Sequence, residues 1–322
     1  FLAGVGIAFK LAQALMSEFG EEATFRESDL LVLVALGTVA DLAPLLGENR
    51  QLVTGGLKSL NARRRPGIRA LANVAGLEKT AITSESISFG LAPRINAAGR
   101  LAHAYDAAKL LAVNNSIMAQ EFAEALNELN RDRQQLTKAL CQKAEEMIDP
   151  DLPLLFAIDA NFKSGVVGLV ASRLADQFYR PAIVIEWGDG ESRGSCRSIP
   201  EFHITEALDK VSGLLERHGG HAQAAGFTIR NHNLEQFQEE MLAIAASELQ
   251  LDQLSPAIPI DAELAIGDVD WALHDVLQKL EPTGYANPAP TFASLDVQVY
   301  GHRAVGQDGS HLQLWVGDGR VK

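Results

Sequence analysis

The sequence predicts an α/β protein that is built from more than one domain. Between residues 154 and 249, strand-like and helix-like segments alternate, which is typical of a sheet flanked by helices. Before them, residues 116–147 form one amphipathic stretch that contains neither glycine nor proline. The chain has 322 residues, which is enough for two or three domains. We therefore expect two α/β domains separated by a long helix and followed by a small β domain.

The first part of the chain carries mostly helical patterns. Apolar residues recur at helical spacing in the segments 4–18, 50–60 and 66–75. The apolar run 30–39 suits either a buried strand or a buried helix. Ser28 and Asp29 stand directly before it and are good helix caps, so they favour the helix. We expect residues 1–114 to be the later part of an α/β domain.

The stretch 116–147 predicts a helix of unusual length. Its apolar residues, from Phe122 to Met147, lie near 3.6-residue spacing, and charged residues fill its other faces. At ~1.5 Å per residue it would reach roughly 45 Å, which is longer than most helices within a domain. We therefore expect residues 115–150 to connect two domains.

A second α/β domain is expected over residues 151–252. Its predicted strands are 154–159, 182–187, 194–199 and 224–230. Its predicted helices are 166–178, 204–217 and 233–249. A turn-rich junction at 281–290 then leads to alternating segments such as Leu295–Tyr300. These segments predict the start of a small β domain within residues 253–322.

The composition is that of an ordinary soluble globular protein, with 47% hydrophobic and 21% charged residues. No apolar run approaches the ~20 residues of a membrane-spanning helix, and the start has no signal-peptide pattern. Cys141 and Cys196 provide no disulfide framework, so we expect a cytoplasmic protein that does not bind membranes. The net charge of −13 argues against a protein that coats nucleic acid, although it allows a narrow basic channel. The chain begins within a helix-like run without an initiator Met, and we expect it to belong to a longer protein.

The segment His218–Phe227 is the most informative short motif. Gly219 and Gly220 lack Cβ atoms, so a loop here could adopt φ > 0 and turn its N–H groups toward a phosphate. His221 could add a donor or a positive charge. The alternative is a tight turn that ends the preceding helix, with Gly219 as its left-handed cap.

Two further segments of the second domain suit a phosphate. Lys163–Gly168 lies between a predicted strand and a predicted helix, where N–H groups and the helix dipole favour an anion. A plain glycine turn is the alternative there. Ser195 and Arg197 lie on one face of an extended chain, where a hydroxyl beside a guanidinium can clamp a phosphate. An exposed edge strand with solvated charges is the alternative.

The first domain offers three candidate segments. Asp41 ends an apolar run, where an unpaired charge is costly, and a divalent cation is one candidate partner. A helix end or an ion pair is the alternative for Asp41. The segment Ala92–Arg100 combines two arginines with an amide among small residues, which is unusual for a plain loop. The run Arg63–Arg65 is a basic patch that is either solvated or attractive to a nucleic-acid backbone.

Five motifs occur in a fixed order along the chain. They are Leu36–Asp41, Ala92–Arg100, Ser164–Gly168, Gly194–Ser198 and Gly219–Phe227. Together they resemble the RecJ exonucleases of the DHH phosphoesterase family, and the resemblance spans essentially the whole chain. The turn at 287–290 is similar to the entry of an oligonucleotide-binding (OB) barrel. The resemblance implies the C-terminal part of a DHH Rossmann-like domain, a long connector helix, a DHH-associated α/β domain and the start of an OB-type barrel.

The resemblance also implies roles for individual residues. Asp41 would be the catalytic residue of this chain and a ligand of a Mn²⁺ or Mg²⁺ pair. The other metal ligands and the Asp-His-His signature would precede residue 1, so this chain by itself is expected to be inactive. Ser195 and Arg197 would hold the 5′ end of DNA. The other expected substrate contacts are Arg94, Asn96, Arg100, Ser164, Gly165, Gly219, Gly220 and His221.

The implied function is metal-dependent 5′→3′ hydrolysis of single-stranded DNA in DNA repair and recombination. The protein would act as a monomer, with a helicase and a single-strand-binding protein as candidate partners. Two alternatives are a DHH-family phosphoesterase of short oligonucleotides or phosphorylated mononucleotides, and a non-catalytic DHH-like scaffold of a replication complex. The long helix and the added β domain count against the first alternative. Asp41, Ser195 and Arg197 count against the second.

Overall fold

The computed structural model of the protein describes residues 2–20, 26–306 and 309–317. The chain divides into two compact units, one of residues 1–92 with 257–322 and one of residues 93–256. No helix within the described ranges is both long and apolar enough to cross a membrane.

The first unit begins with four α-helices. They are α1 (Gly4–Phe19), α2 (Glu27–Ala40), α3 (Gly47–Asn61) and α4 (Pro66–Val74). A Cβ atom at Gly56 of α3 would lie 2.4 Å from the carbonyl oxygen of Leu31 in α2, so the two helices touch through their backbones. α2 is buried on most sides, which explains its continuous apolar run. The three predicted helices and the choice of a helix for residues 30–39 are confirmed.

The second unit contains three successive helices and then an α/β sheet domain. Its helices are α5 (Ala92–Leu101, with its first residue at the unit boundary), α6 (Ala104–Ala112), α7 (Ser116–Glu145), α8 (Ser164–Phe178), α9 (Ile204–Lys210) and α10 (Leu234–Glu248). Its strands are β1 (Leu155–Asp159), β2 (Ala182–Glu186), β3 (Glu191–Arg197), β4 (Leu215–His221) and β5 (Ala224–Arg230).

The long helix is confirmed as α7, which has 30 residues. It begins where the Asn115 side chain accepts hydrogen bonds from the N–H groups of Ile117 and Met118, as an N-cap residue does. Near its C-terminal end, Leu140 and Ala144 enter the hydrophobic core that α8 forms with the sheet. This end of α7 is therefore a packed part of the second unit.

The five strands form one mixed sheet in the order β1-β2-β3-β5-β4. β1 and β2 are parallel, and the other neighbours are antiparallel. On one side of the sheet, α9 and α10 cover the apolar residues of β1, β2, β3 and β5. On the other side, α8 packs on β1 and β2. The predicted mixed sheet flanked by helices is confirmed.

One predicted element of this unit is wrong. The pattern at 204–217 predicts one helix, but α9 ends at Lys210 and residues 215–221 form β4. β4 pairs with β5 at the edge of the sheet. Gly219 and Gly220 are poor helix formers, and the ladder with β5 satisfies their backbone groups instead. Long-range pairing thus outweighs the local helical pattern.

The C-terminal part of the chain returns to the first unit. Its elements are β6 (Ala262–Glu263), α11 (Trp271–Leu277), β7 (Phe292–Ala293), β8 (Gln298–Val305) and β9 (His311–Gly317). The N–H of Leu45 donates to the carbonyl oxygen of Tyr285 at 2.8 Å, and Ser84 Oγ donates to Glu281 Oε2 at 3.1 Å. β8 and β9 form a hairpin, as expected for the start of a β domain, but the described strands do not close into a barrel.

Candidate nucleic-acid interface

The residues of strand β3 alternate between a polar face and a buried face of the sheet. Arg193, Ser195 and Arg197 alternate with Gly194 and Cys196 along the strand. Gly194 and Cys196 are buried, whereas the other three are exposed or half-buried. The shared face expected for Ser195 and Arg197 is therefore present, and a third polar residue lies on it.

The neighbouring strands add residues to the same face. Directly opposite residues of antiparallel strands point to the same side of a sheet. Across β5, Ser195 is aligned with Gly219 of β4. Arg197 is aligned in the same way with His221. We call this surface the basic face, and its members are Arg193, Ser195, Arg197, Arg217, Gly219 and His221.

The basic face is open because α8 covers only part of that side of the sheet. Ala182 and Val184 of β2 are buried beneath α8. Farther along, β5 contributes the small residues Ala224 and Gly226 to the same side, which leaves a shallow floor. A cavity of about 410 Å³ lies there, with Arg193, Ser195, Arg217 and the start of α8 in its wall.

Ser195 and Arg197 hold their polar groups together. Nη1 of Arg197 lies 3.4 Å from Ser195 Oγ and donates to the carbonyl oxygen of Cys196 at 2.8 Å. A Cβ atom at Gly168 of α8 would lie 3.1 Å from Ser195 Oγ and 3.2 Å from Arg197 Nη2. The glycine therefore lets α8 pass close beside the pair.

The first turn of α8 lies next to this pair. No side chain caps the helix at Lys163, and the N–H groups of Val166 and Val167 bond to the Lys163 carbonyl oxygen at 2.8 and 3.0 Å. An uncapped helix start is favourable for an anion because N–H groups of the first turn and the helix dipole point outward. Ser164, one of the expected substrate contacts, is in the cavity wall.

Gly165 has a structural role in addition to the one that its motif predicts. A Cβ atom there would lie 2.1 Å from the carbonyl oxygen of Arg100, so only glycine allows α5 and α8 to approach this closely. Nη1 of Arg100 donates in return to the carbonyl oxygen of Gly165 at 3.0 Å. Burial lowers the pKa of the Arg100 guanidinium, and the positive charge of Arg197 lowers it further. Arg100 is thereby fixed beside the basic face.

Arg94 and Asn96 lie on α5, which is a helix and not a loop. Nε of Arg94 donates to Asn127 Oδ1 of α7 at 3.0 Å. Burial lowers the pKa of Arg94, and the charge of Arg131 lowers it further. Asn96 is exposed one helical turn before Arg100. Asn96 and Arg100 therefore share a side of α5, while Arg94 faces α7.

The glycine motif does not form the predicted loop. Gly219, Gly220 and His221 belong to β4, and neither glycine adopts the left-handed conformation, since φ of Gly220 is 159°. The glycines therefore form neither the helix cap nor the phosphate-cradling loop. Gly220 is needed because a Cβ atom there would lie 2.3 Å from the carbonyl oxygen of Ala224. Exposed Gly219 and His221 remain available on the basic face.

Asp41 lies in the other unit, at the C-terminal end of α2. The N–H of Leu42 donates to the carbonyl oxygen of Val39, and the N–H of Ala43 donates to the carbonyl oxygen of Thr38. These two bonds form a Schellman motif, in which Leu42 has φ 53°. Asp41 is exposed, so water solvates its carboxylate and the charge does not require a partner. Within the described residues, no three His, Cys, Asp or Glu side chains are grouped as a metal site.

Sequence reasoning noted Arg193 beside Ser195 without assigning it to the site, and it missed Arg217. Arg193 is two positions before Ser195, so period-2 alternation in β3 could have found it. Arg217 could not have been found in this way, because the segment around it is predicted as a helix. In the structure, Nε of Arg217 donates to Thr228 Oγ1 at 3.3 Å, which holds its side chain over β5.

Comparisons with known proteins agree with this arrangement. A DHHA1 domain model matches residues 151–248, and a RecJ OB domain model matches residues 260–322. The chain is 35% identical to the single-stranded-DNA-specific exonuclease RecJ of Bacillus subtilis, over 98% of this chain and 40% of that protein. It is 36% identical to RecJ of Dickeya dadantii, over 98% of this chain and 58% of that protein.

A solved structure extends the likeness to the fold. The crystal structure of RecJ in complex with Mn²⁺ from Thermus thermophilus superposes with a TM-score of 0.86 at 32% identity. The match covers 98% of this chain and 46% of that one. This chain thus spans between 40% and 58% of the length of these three relatives. Over the part of those proteins that it spans, the chain belongs to the RecJ family.

Proposed function

We propose that this chain is the substrate-holding part of a metal-dependent 5′→3′ exonuclease that hydrolyses single-stranded DNA in repair and recombination. The observation that carries the proposal is the basic face. It brings Arg193, Arg197 and Arg217 to one side of a sheet in a chain whose net charge is −13. Local positive charge on an acidic protein is the electrostatic pattern of a narrow nucleic-acid site.

The residues of the basic face suit a terminal phosphate. The Arg197 guanidinium offers a planar fork of donors, and Ser195 offers a hydroxyl. Nη1 of Arg197 lies 3.4 Å from Ser195 Oγ. The uncapped start of α8 adds N–H groups next to them. A 5′-terminal phosphate carries more negative charge than an internal phosphodiester and gains more from this grouping. We therefore assign Ser195, Arg197 and the start of α8 to the 5′ end of the strand.

The metal assignment rests on Asp41 alone. A Mn²⁺ or Mg²⁺ ion needs several oxygen ligands, and the described residues group no three candidate side chains. The residues present therefore do not make up a metal site. Asp41 remains our proposed single ligand from this chain, and the chain's own part in the reaction is to bind and orient the strand.

The 5′-end assignment is testable with the 322-residue chain. We expect Arg197→Gln combined with Ser195→Ala to weaken binding of a 5′-phosphorylated 12-mer by about 10- to 100-fold, because hydrogen bonds to a charged group are worth about 1.5–3 kcal/mol. Binding of the same 12-mer with a 5′-hydroxyl should change much less. Fluorescence anisotropy with a 3′-labelled strand measures both.

Lys210→Gln is the matched control, because Lys210 pairs with Glu248 away from the basic face. It should leave both affinities unchanged. Equal losses for the two strands would contradict a site for the 5′ end. A dinucleotide that binds as well as the 12-mer would favour a phosphoesterase of short oligonucleotides instead.

The remaining family expectations are part of the same proposal. They are a cytoplasmic location, a monomeric state, and a helicase and a single-strand-binding protein as partners. The domain assignment at residues 114, 150 and 252 also stays a proposal. The DHHA1 and RecJ OB matches support its last two domains.

A further inference from the structure

A second basic depression lies between α7 and α8 of the same unit. It is a groove of about 490 Å³, which falls within the range of small-molecule pockets. Arg133 and Lys138 of α7 and Arg173 of α8 bring three positive charges to its wall, against the single carboxylate of Asp176. Gln134 and Ser172 add uncharged hydrogen-bonding groups. The groove therefore has the chemistry of an anion site.

The three cations are not neutralised by the protein around them. In the part of the chain that the structure describes, none of them has a carboxylate within ion-pair distance. Burial raises the pKa of the Cys141 thiol, and the nearby Arg173 guanidinium lowers it in part. Nε of Arg133 is buried and has no hydrogen-bond partner. A buried charged donor without an acceptor is costly, so the protein leaves the Arg133 guanidinium poorly compensated. An anion at the groove surface would offset this charge without reaching Nε.

Arg100 links this groove to the basic face. Burial lowers the pKa of Arg133, and the charge of Arg100 lowers it further. The pKa of Arg100 is itself lowered by burial and then by the charge of Arg197. Positive charge thus continues from the 5′-end site, past the contact of Arg100 with Gly165, into the groove. From Gly165 to Arg173 the path along α8 is about 12 Å, at ~1.5 Å per residue.

The proposed reaction leaves a product that fits this groove. If Ser195 and Arg197 hold a 5′-phosphate in every cycle, the shortened strand must again begin with a phosphate. Water must then add to phosphorus while the bond from phosphorus to the 3′-oxygen of the first nucleotide breaks, and that oxygen takes a proton. The released molecule is a nucleoside 5′-monophosphate with a free 3′-hydroxyl. Its phosphate monoester has to leave the 5′-end site before the strand can advance.

We propose that the groove between α7 and α8 binds the phosphate of the released nucleoside 5′-monophosphate. The inference rests on the proposed function for the source of this ligand, whereas the binding chemistry rests on the groove itself. Within its lining there is no aromatic side chain on which a base could stack, so recognition is through the phosphate and is indifferent to the base. Arg100 lies between the two sites and favours transfer of the anion from one to the other.

The test uses the 322-residue chain saturated with a 5′-phosphorylated 12-mer, so that the 5′-end site is occupied. Isothermal titration calorimetry should then show one further site for thymidine 5′-monophosphate. Inorganic phosphate should compete with it, and thymidine should not bind. Lys138→Gln with Arg173→Gln should weaken this site at least tenfold and leave binding of the 12-mer unchanged. Lys109→Gln with Lys210→Gln removes two cations elsewhere and should have no effect.

Lys138→Gln alone serves if the double variant fails to fold, because Lys138 is exposed. The proposal is overturned if the saturated protein binds no monophosphate or if wild type and variant bind it equally. It is also overturned if the variant loses affinity for the 12-mer, since the groove would then hold the strand. The monophosphate site could persist although Ser195→Ala with Arg197→Gln does not weaken binding of 5′-phosphorylated DNA. That result would refute the proposed function and still support an anion site in the groove.

Discussion

The two faces of the five-stranded sheet show how one set of strands provides both stability and binding. On the apolar face, Cys196 and Phe227 join a core that α9 and α10 cover completely. On the basic face, Ser195 and Arg197 lie on either side of Cys196 along β3 but remain half-buried. The two faces therefore share backbone and register and differ only in which alternate residues they present.

Substitutions on the two faces should therefore have different consequences. Burial raises the pKa of the Cys196 thiol strongly, which agrees with its role as a packed apolar residue. The pKa of Arg100 beside the basic face is lowered by burial first and then by the neighbouring positive charge of Arg197. A change on the apolar face should cost folding free energy, and a change on the basic face should cost affinity for an anion.

The largest expected effect is on the apolar face. Phe237 of α10 is fully buried, and its ring centroid lies 4.7 Å from that of Phe227 and 6.2 Å from that of Phe156. Phe237→Ala should lower the free energy of unfolding of residues 93–256 by about 3–5 kcal/mol. Urea unfolding with amide hydrogen exchange of β5 measures this. The fraction that remains folded should bind 5′-phosphorylated DNA normally.

Phe237→Leu is the milder version if the alanine variant does not fold. A loss of affinity in folded molecules of either variant would show that the two faces are coupled, and the separation of stability from binding would then be wrong.

The sequence predicted most of the apolar face and only part of the basic face. Strands such as β2 and β5 have apolar patterns that depend only on local spacing, so they were predicted nearly to their ends. β4 was not, because its residues Glu216–His221 are polar or glycine and become a strand only through pairing with β5. Arg217 could be assigned to the site only after this register was known.

Gly165 and Gly220 also have structural roles that the local sequence pattern does not predict. The motifs predicted that Gly220 serves an anion through its conformational freedom and that Gly165 does so at the start of a helix. They did not predict that both glycines are required by a close backbone approach. The contact of Gly165 joins residues far apart along the chain, and that of Gly220 depends on the pairing of β4 with β5, so local spacing does not predict either of them. The exposure of Asp41 is also tertiary information, since an apolar run before a charge does not reveal whether water reaches it.

A smaller effect is expected where α8 meets the basic face. In Gly168→Ala, the new methyl group would lie 3.1 Å from Ser195 Oγ and 3.2 Å from Arg197 Nη2. These side-chain ends can move, and alanine is favoured in a helix by about 1 kcal/mol, so stability should change by less than about 1 kcal/mol. Displacement of the pair should weaken binding of 5′-phosphorylated DNA roughly three- to tenfold, or about 1 kcal/mol.

Gly99→Ala is the helical control, because a methyl group there finds its nearest neighbour at an ordinary 3.8 Å. If Gly168→Ala leaves the affinity for 5′-phosphorylated DNA unchanged, the positions of the Ser195 hydroxyl and the Arg197 guanidinium are not critical. The site for the 5′ end would then lie elsewhere on the basic face.

The smallest expected effect is the loss of stability when a cation that is paired with a carboxylate is removed. Lys143 Nζ of α7 lies 2.6 Å from Asp159 Oδ2 at the end of β1. The hydrogen bond from Lys143, followed by that from the Asn161 N–H, holds the pKa of Asp159 below its ordinary value. The charged carboxylate therefore stabilises the fold above its ordinary pKa of about 3.9, and this contribution is lost as the pH falls through the lowered value. Lys143→Gln should cost at most about 1 kcal/mol at pH 7.

Urea unfolding of wild type and Lys143→Gln from pH 7 downward should show this difference shrinking below about pH 4. DNA affinity and its salt dependence should stay as in wild type, because the charge of Lys143 is already balanced by Asp159. For Arg197→Gln the slope of log affinity against log salt should fall by about 0.7, the value for one phosphate contact on a single strand. The same decrease in Lys143→Gln would mean that any cation of this unit attracts the strand, and the basic face would lose its special role.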